Sequence, residues 1–158
     1  MVVKKLQFLE SFEVHHCDID DDHRQIIALL NSIVDETSIG SFDRLVQKLD
    51  QFVAFFGAHC RREEAVLRDV EFPGFEDHKD EHDRICLHLT RELEHIKVAE
   101  SVSAAEAFVR AMPELLIHEI IKVDTRFKSH LIEKLGIQAR RSVAKNYDLA
   151  PRYVTEER

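Results

Sequence analysis

Two short stretches carry residues that can do chemistry together: His59-Cys60-Arg61-Arg62-Glu63-Glu64 and His78-Lys79-Asp80-Glu81-His82. Residues four apart on a helix are separated by about 400°, a net of about 40°, so His59 and Glu63 share a face. His78 and His82 have the same spacing one helix later. The two pairs supply one carboxylate and three imidazoles. That donor set suits iron, zinc or manganese, and a carboxylate can bridge two ions.

These residues are in register with apolar stripes. Leu45, Leu49, Phe52, Phe56, His59, Glu63 and Val66 step by four and three without a break. His78, His82, Ile85, Leu89 and Ile96 continue a second stripe in much the same way. Glu and His pairs are also common on exposed helix faces, but here they extend faces built for a core. Burying an unpaired polar group costs on the order of several kcal/mol. Four such groups facing inward need a shared partner, and a metal centre provides one. His23 precedes Ile26 and Ile27 by three and four residues, so it points inward too and is a candidate fifth ligand.

The last helix must complete the site, and Leu115 to Asp124 offers a choice. With about 100° per residue, Phe108, Met112, Leu115, Leu116, Ile120, Val123 and Phe127 form one arc. Glu119 lies roughly 50° from its centre, Asp124 roughly 90° from it at the edge, and His118 roughly 150° away, towards solvent. The wheel selects Glu119 and rejects His118, although histidine is the more usual metal ligand.

The elements that position these residues follow from the rest of the chain. At 158 residues it is long enough for one domain with a real core. Thirty acidic against 22 basic residues give a formal charge of -8, which argues against a general binder of nucleic acid or anionic membrane. Four Gly and three Pro predict few, long elements. No apolar run approaches about 20 residues, and the N-terminus lacks the apolar region of a signal peptide. Cys17, Cys60 and Cys86 are scattered without a CxxC; unpaired thiols fit a reducing cytoplasm, the expected location.

Residues 1–18 read as an ordered N-terminal arm, with Phe8, Leu9, Phe12 and Val14 available to cover one end of a core. A first helix begins near Asp18 to Asp22, where acidic groups suit free N–H groups and the helix dipole. A second runs from about Phe42 to Val70, with Ser41 as its N-cap. Phe72-Pro73-Gly74 ends it, and a third runs from about Phe75 to Ala99. The fourth follows Ser101-Val102-Ser103 and reaches about Leu135, with Pro113 expected to kink it or mark its effective start. Short connections make neighbours antiparallel. The expected fold is all-α: an up-down-up-down antiparallel four-helix bundle. The domain is expected to span 1–136, and 137–158 reads as a C-terminal tail or linker. His15, His16, His88, His95 and His130 are expected outside the ligand set, Cys60 as an inert thiol and Cys86 as a small core residue.

The order of these motifs resembles hemerythrin, specifically the bacterial hemerythrin-like domains. The stretches that carry the likeness are Ile19-Asp20-Asp21-Asp22-His23, then His59 to Glu64, Phe72-Pro73-Gly74-Phe75-Glu76-Asp77-His78-Lys79-Asp80-Glu81-His82, and Leu115 to Asp124. They cover about residues 6–136. The resemblance implies a four-helix bundle around two non-haem iron ions, cycling between Fe2+ and Fe3+ under an oxo or hydroxo bridge, with dioxygen as ligand. It places His23, His59, His78 and His82 on histidine ligands and Glu63 and Asp124 on the bridging carboxylates. The family has a further histidine five residues before the aspartate; this chain has Glu119 there. Two alternatives stand beside Glu119: His118 reaching in through a helical bulge, or a position left vacant.

A glutamate in place of an imidazole adds negative charge and favours the ferric state. The expected function is an oxygen- or redox-sensing domain of a signalling protein that oxidises readily, rather than an enzyme. The alternatives are a free-standing carrier or store of oxygen or iron, and a di-iron oxidase or peroxidase. The expected partner is dioxygen or another small diatomic molecule. The resemblance also implies a signalling output module beyond the tail, since the family occurs fused to cyclic-dinucleotide synthases and chemotaxis receptors.

Overall fold

The structure is a computed structural model that describes residues 5–39 and 41–136. Its helices are α1 (Cys17–Ile39), α2 (Phe42–Asp69), α3 (Phe75–Ala99), α4 (Val102–Ile117) and α5 (Thr125–Leu135). A π-helical segment, His118–Asp124, joins α4 to α5, so the two form one long interrupted fourth helix. A single 3-10 turn, Glu10–Phe12, precedes α1. Helix α1 packs on α2, α2 on α3, α3 on α4 and α4 back on α1, which closes the expected four-helix bundle.

Local chemistry sets the boundaries. The Ser41 hydroxyl accepts from Arg44 N at 3.4 Å and starts α2; the Ser101 hydroxyl accepts from Ala104 N at 3.2 Å and starts α4. Each cap satisfies an N–H that the first helical turn leaves free. The turn from α2 to α3 is closed by Phe72 N donating to Leu67 O at 2.9 Å, with Glu71 in the left-handed region at φ 54°. Glu100, at φ 46°, ends α3 in the same way. The fourth helix begins at Val102, not at Pro113, which lies inside α4.

The N-terminal arm is tied down by side chains of α1. Asn31 exchanges two hydrogen bonds with the Leu6 backbone, at 2.9 and 2.8 Å. Val14 N donates to the Asp20 carboxylate at 2.7 Å. These bonds seat Phe12 and Val14 in the core, while Leu9 remains exposed.

The core of the described residues has one large apolar cluster and two smaller ones, the smallest formed by Phe12, Ile27 and Ile120, and all four helices pass from the large cluster to the one around Val66 and Phe127. On α2, Phe52 and Phe56 belong to the large cluster and Val66 and Leu67 to the latter; His59 and Glu63 lie between. On α1, His23 lies between Ile19 and Ile26, and on the fourth helix Glu119 and Asp124 lie between Leu116 and Phe127. On α3, His78 and His82 lie between Phe75 and Leu89. Fully burying each Leu, Ile or Phe of these clusters stabilises the fold by about 1.5–3 kcal/mol. The polar layer is therefore held at a fixed depth by apolar packing on both sides.

Candidate metal centre

Seven buried groups meet in that layer: His23, His59, Glu63, His78, His82, Glu119 and Asp124. Glu63 is at its middle. Its Oε1 is 2.6 Å from His78 Nε2 and 3.3 Å from His82 Nε2, both on α3. Its Oε2 faces the other way, 3.7 Å from His59 Nε2 and 3.8 Å from His23 Nε2. Asp124 Oδ2 is 3.1 Å from His23 Nε2. Two four-residue groups result, each with ligand atoms within 4.8 Å of one another: His23, His59, Glu63 and Asp124, and Glu63, His78, His82 and Asp124. They share both carboxylates, as the donors of two adjacent ions would. Glu119 belongs to neither group but sits beside the second, its Oε1 3.3 Å from His82 Nε2.

The fourth helix reaches this arrangement by widening. In a regular α-helix residues five apart are about 140° apart, so Glu119 and Asp124 could not both face the layer. The wider π turn over His118–Asp124 brings them to one side. Asp124, expected at the edge of the stripe, is fully buried, and His118 stays exposed. A bulge, which the sequence offers only as the alternative that carries His118 inward, is thus present but leaves His118 outside. The Thr125 hydroxyl donates to Ile121 O and satisfies one carbonyl within the widened turn.

The donor atoms fit a metal because the protein leaves them without other partners. Both ring nitrogens of His23, Nε2 of His82, Oε2 of Glu63 and all four carboxylate oxygens of Glu119 and Asp124 are buried with no hydrogen bond from the protein. Such a concentration of unsatisfied polar atoms is costly without a cation. In the metal-free protein the charges compensate one another. Burial would push Glu63 up, but the hydrogen bond from His78 and the close His82 imidazole outweigh it and hold it well below the usual carboxylate range. Burial, with the charges of Glu63 and Glu119, pushes Asp124 well above that range. Burial lowers the His23 pKa. Burial opposes charge on His82 as well, yet the carboxylates of Glu119, Glu63 and Glu64 close around its ring win and push it up to about 12. An imidazolium ringed by three carboxylates marks where positive charge is wanted, and a bound cation supplies it instead.

Two outer carboxylates orient the imidazoles. Glu64 Oε1 accepts from His82 Nδ1 at 3.0 Å, which aims Nε2 at the centre. Asp22 Oδ2 is 3.5 Å from His59 Nδ1 and accepts from Arg62 Nε at 2.8 Å. Sequence reasoning missed both roles; the available signal is that each acid adjoins a ligand candidate, Glu63 or His23. His16, expected outside the ligand set, belongs to neither four-residue group; it is buried just before α1 with neither ring nitrogen hydrogen-bonded. His88 and His95 are exposed and His130 bonds to Val70 O at 2.8 Å, all away from the layer. Cys86, expected as a small core residue, is half-buried and packs against the large apolar cluster.

The model of the family described as Hemerythrin HHE cation binding domain matches residues 17–131. The chain belongs to the hemerythrin family. A bacteriohemerythrin from Methylococcus capsulatus is 29% identical over 108 residues, covering 66% of this chain and 79% of that protein. Hemerythrins bind non-haem iron and a small ligand such as dioxygen, typically as oxygen binders rather than enzymes, and the two His/Glu/Asp groups fit a metal site of that kind. The matched segment holds every residue of the polar layer, from His23 to Asp124. No helix among the described residues is long and apolar enough to cross a membrane. Residues 137–158, expected as a tail or linker, lie outside the described residues.

Proposed function

We propose that this hemerythrin domain is a di-iron oxygen or redox sensor in which Glu119 replaces one histidine ligand. The observation that carries this reading is the pair His118 and Glu119: the histidine is exposed, and the glutamate is 1% exposed with both oxygens free of hydrogen bonds. Bound iron would supply dioxygen affinity and one-electron chemistry. His23 and His59 would hold one ion, His78, His82 and Glu119 the other, with Glu63 and Asp124 shared between them. The carboxylate of Glu119 adds negative charge where an imidazole would be neutral, and so favours the higher oxidation state. Glu64 and Asp22 fix the ring orientations, and the apolar clusters on either side exclude water. Helix α5 follows Asp124 directly and is the element on which a change in the site would act. A signalling output would be reached through the residues after it.

The test is anaerobic reconstitution with ferrous iron, metal analysis, and an optical spectrum during exposure to air. Two irons per chain and rapid passage to a stable ferric spectrum support the sensor. An oxygen-dependent band that persists for hours and bleaches on deoxygenation indicates a reversible carrier instead. No bound iron, or a single zinc, overturns the di-iron reading.

A further inference from the structure

Two of the three cysteines meet outside the metal layer. Cys60 Sγ on α2 and Cys86 Sγ on α3 are 3.8 Å apart, although 26 residues separate them in sequence. Cys60 is buried and Cys86 is half-buried, while Cys17 is exposed elsewhere at the start of α1. The pair therefore has one thiol that solvent reaches and one that it does not. A disulfide requires sulfurs about 2.0 Å apart, so closing the pair draws together two sulfurs that are already in van der Waals contact. Nothing in the metal layer uses either sulfur.

We propose that Cys60 and Cys86 form a peroxide-reactive thiol pair that closes into a disulfide between α2 and α3. The thiolate of Cys86 attacks hydrogen peroxide: an S–O bond forms, the O–O bond breaks, and hydroxide leaves to become water with the thiol's proton. Cys60 then attacks the sulfenic sulfur of Cys86: the S–S bond forms, the S–O bond breaks, and the leaving hydroxide takes the Cys60 proton as a second water. Two thiols lose two electrons and one peroxide is reduced to two waters. Half-exposed Cys86 meets the oxidant, and buried Cys60 resolves the product before further oxidation. The bond would tie together the helices that carry His59, Glu63, His78 and His82. This inference does not depend on which ligand completes the metal layer.

The test treats the full chain carrying Cys17→Ser with hydrogen peroxide, followed by intact mass and non-reducing peptide mapping. The mass should fall by about 2 Da through loss of two hydrogens, with Cys60 and Cys86 in one linked peptide that dithiothreitol releases. With Cys60→Ala added, Cys86 should instead be trapped by dimedone as a sulfenic acid. With Cys86→Ser, Cys60 should stay unmodified. Progression of Cys86 to sulfinic acid in the Cys17→Ser chain, with no linked peptide, would overturn the proposal. So would unreacted thiols, or reaction of Cys60 in the Cys86→Ser protein.

Discussion

Glu119 and Asp22 are the residues whose chemistry is most open to substitution. Glu119→His removes a negative charge from the layer and restores an imidazole. We expect oxidation of the ferrous protein by air to slow at least about tenfold, about 1.4 kcal/mol in barrier, in stopped-flow absorbance. An unchanged rate would show that Glu119 does not touch the metal. Asp22 acts through His59. Burial would raise its pKa, but the close His59 imidazole and the hydrogen-bonded Arg62 guanidinium outweigh that and hold it below its ordinary value. Its contribution to stability is therefore complete above its unfolded pKa, about 3.9, and is lost as pH falls through the lower folded value. Asp22→Asn should remove that acid component from a series of urea-unfolding midpoints below about pH 4, and should weaken metal binding by about 10–100-fold. The ligand candidates were legible because ligation requires particular side chains at helical spacing. Asp22 and Glu64 were not, because an acid that steadies a ring looks like any acid on a solvated face until the ring's orientation is known.

The long elements were legible for the same reason that they are stable. Apolar residues at intervals of four and three specify a buried stripe, and Ser41 and Ser101 mark two starts. Ser101→Ala should cost about 1 kcal/mol and lower Tm by about 2–4 °C, with iron content unchanged, as calorimetry and metal analysis would show. The π turn was less legible. A wheel with one fixed angle per residue put Asp124 at the stripe's edge, and a bulge entered only as a way of bringing His118 inward. The sequence cue was the spacing of five between Glu119 and Asp124, which a regular helix cannot place on one face. What widens the turn is the gain from uniting two carboxylates with the histidines, and that gain depends on the other three helices. Local periodicity does not contain it.

At the scale of the whole molecule, the polar layer makes metal binding part of folding. Four helices bring unsatisfied donors together, and without a cation those donors are held by one charged imidazole among carboxylates. Ferrous iron should therefore raise Tm in a concentration-dependent way, by the equivalent of about 2.7 kcal/mol at a hundredfold excess over Kd, and a chelator should reverse it. Scanning calorimetry across an iron series checks this. A Tm independent of iron would mean that the metal-free layer satisfies itself. The bundle could be foreseen because its connections are short; the packing of the N-terminal arm rests on Asn31 and Asp20 reaching back from α1, contacts that no pattern in residues 1–18 announces.

The sealing of the layer between two apolar clusters also constrains its electrical balance. Removing an electron from iron bound between apolar clusters would leave a unit of positive charge in a surrounding of low polarity, and release of a proton would offset it. Two polar routes lead outward, from His59 to Asp22 and Arg62, and from His82 to Glu64; Arg62 and Glu64 are each 13% exposed at the side chain. If one proton departs with each electron, the midpoint potential should fall by about 59 mV for each unit rise in pH. Potentiometric titration at several pH values would show that slope, and a flat line would mean that the centre tolerates bare charge. The packing that fixes the donors in place would thus also make the site's willingness to give up an electron depend on the acidity around it.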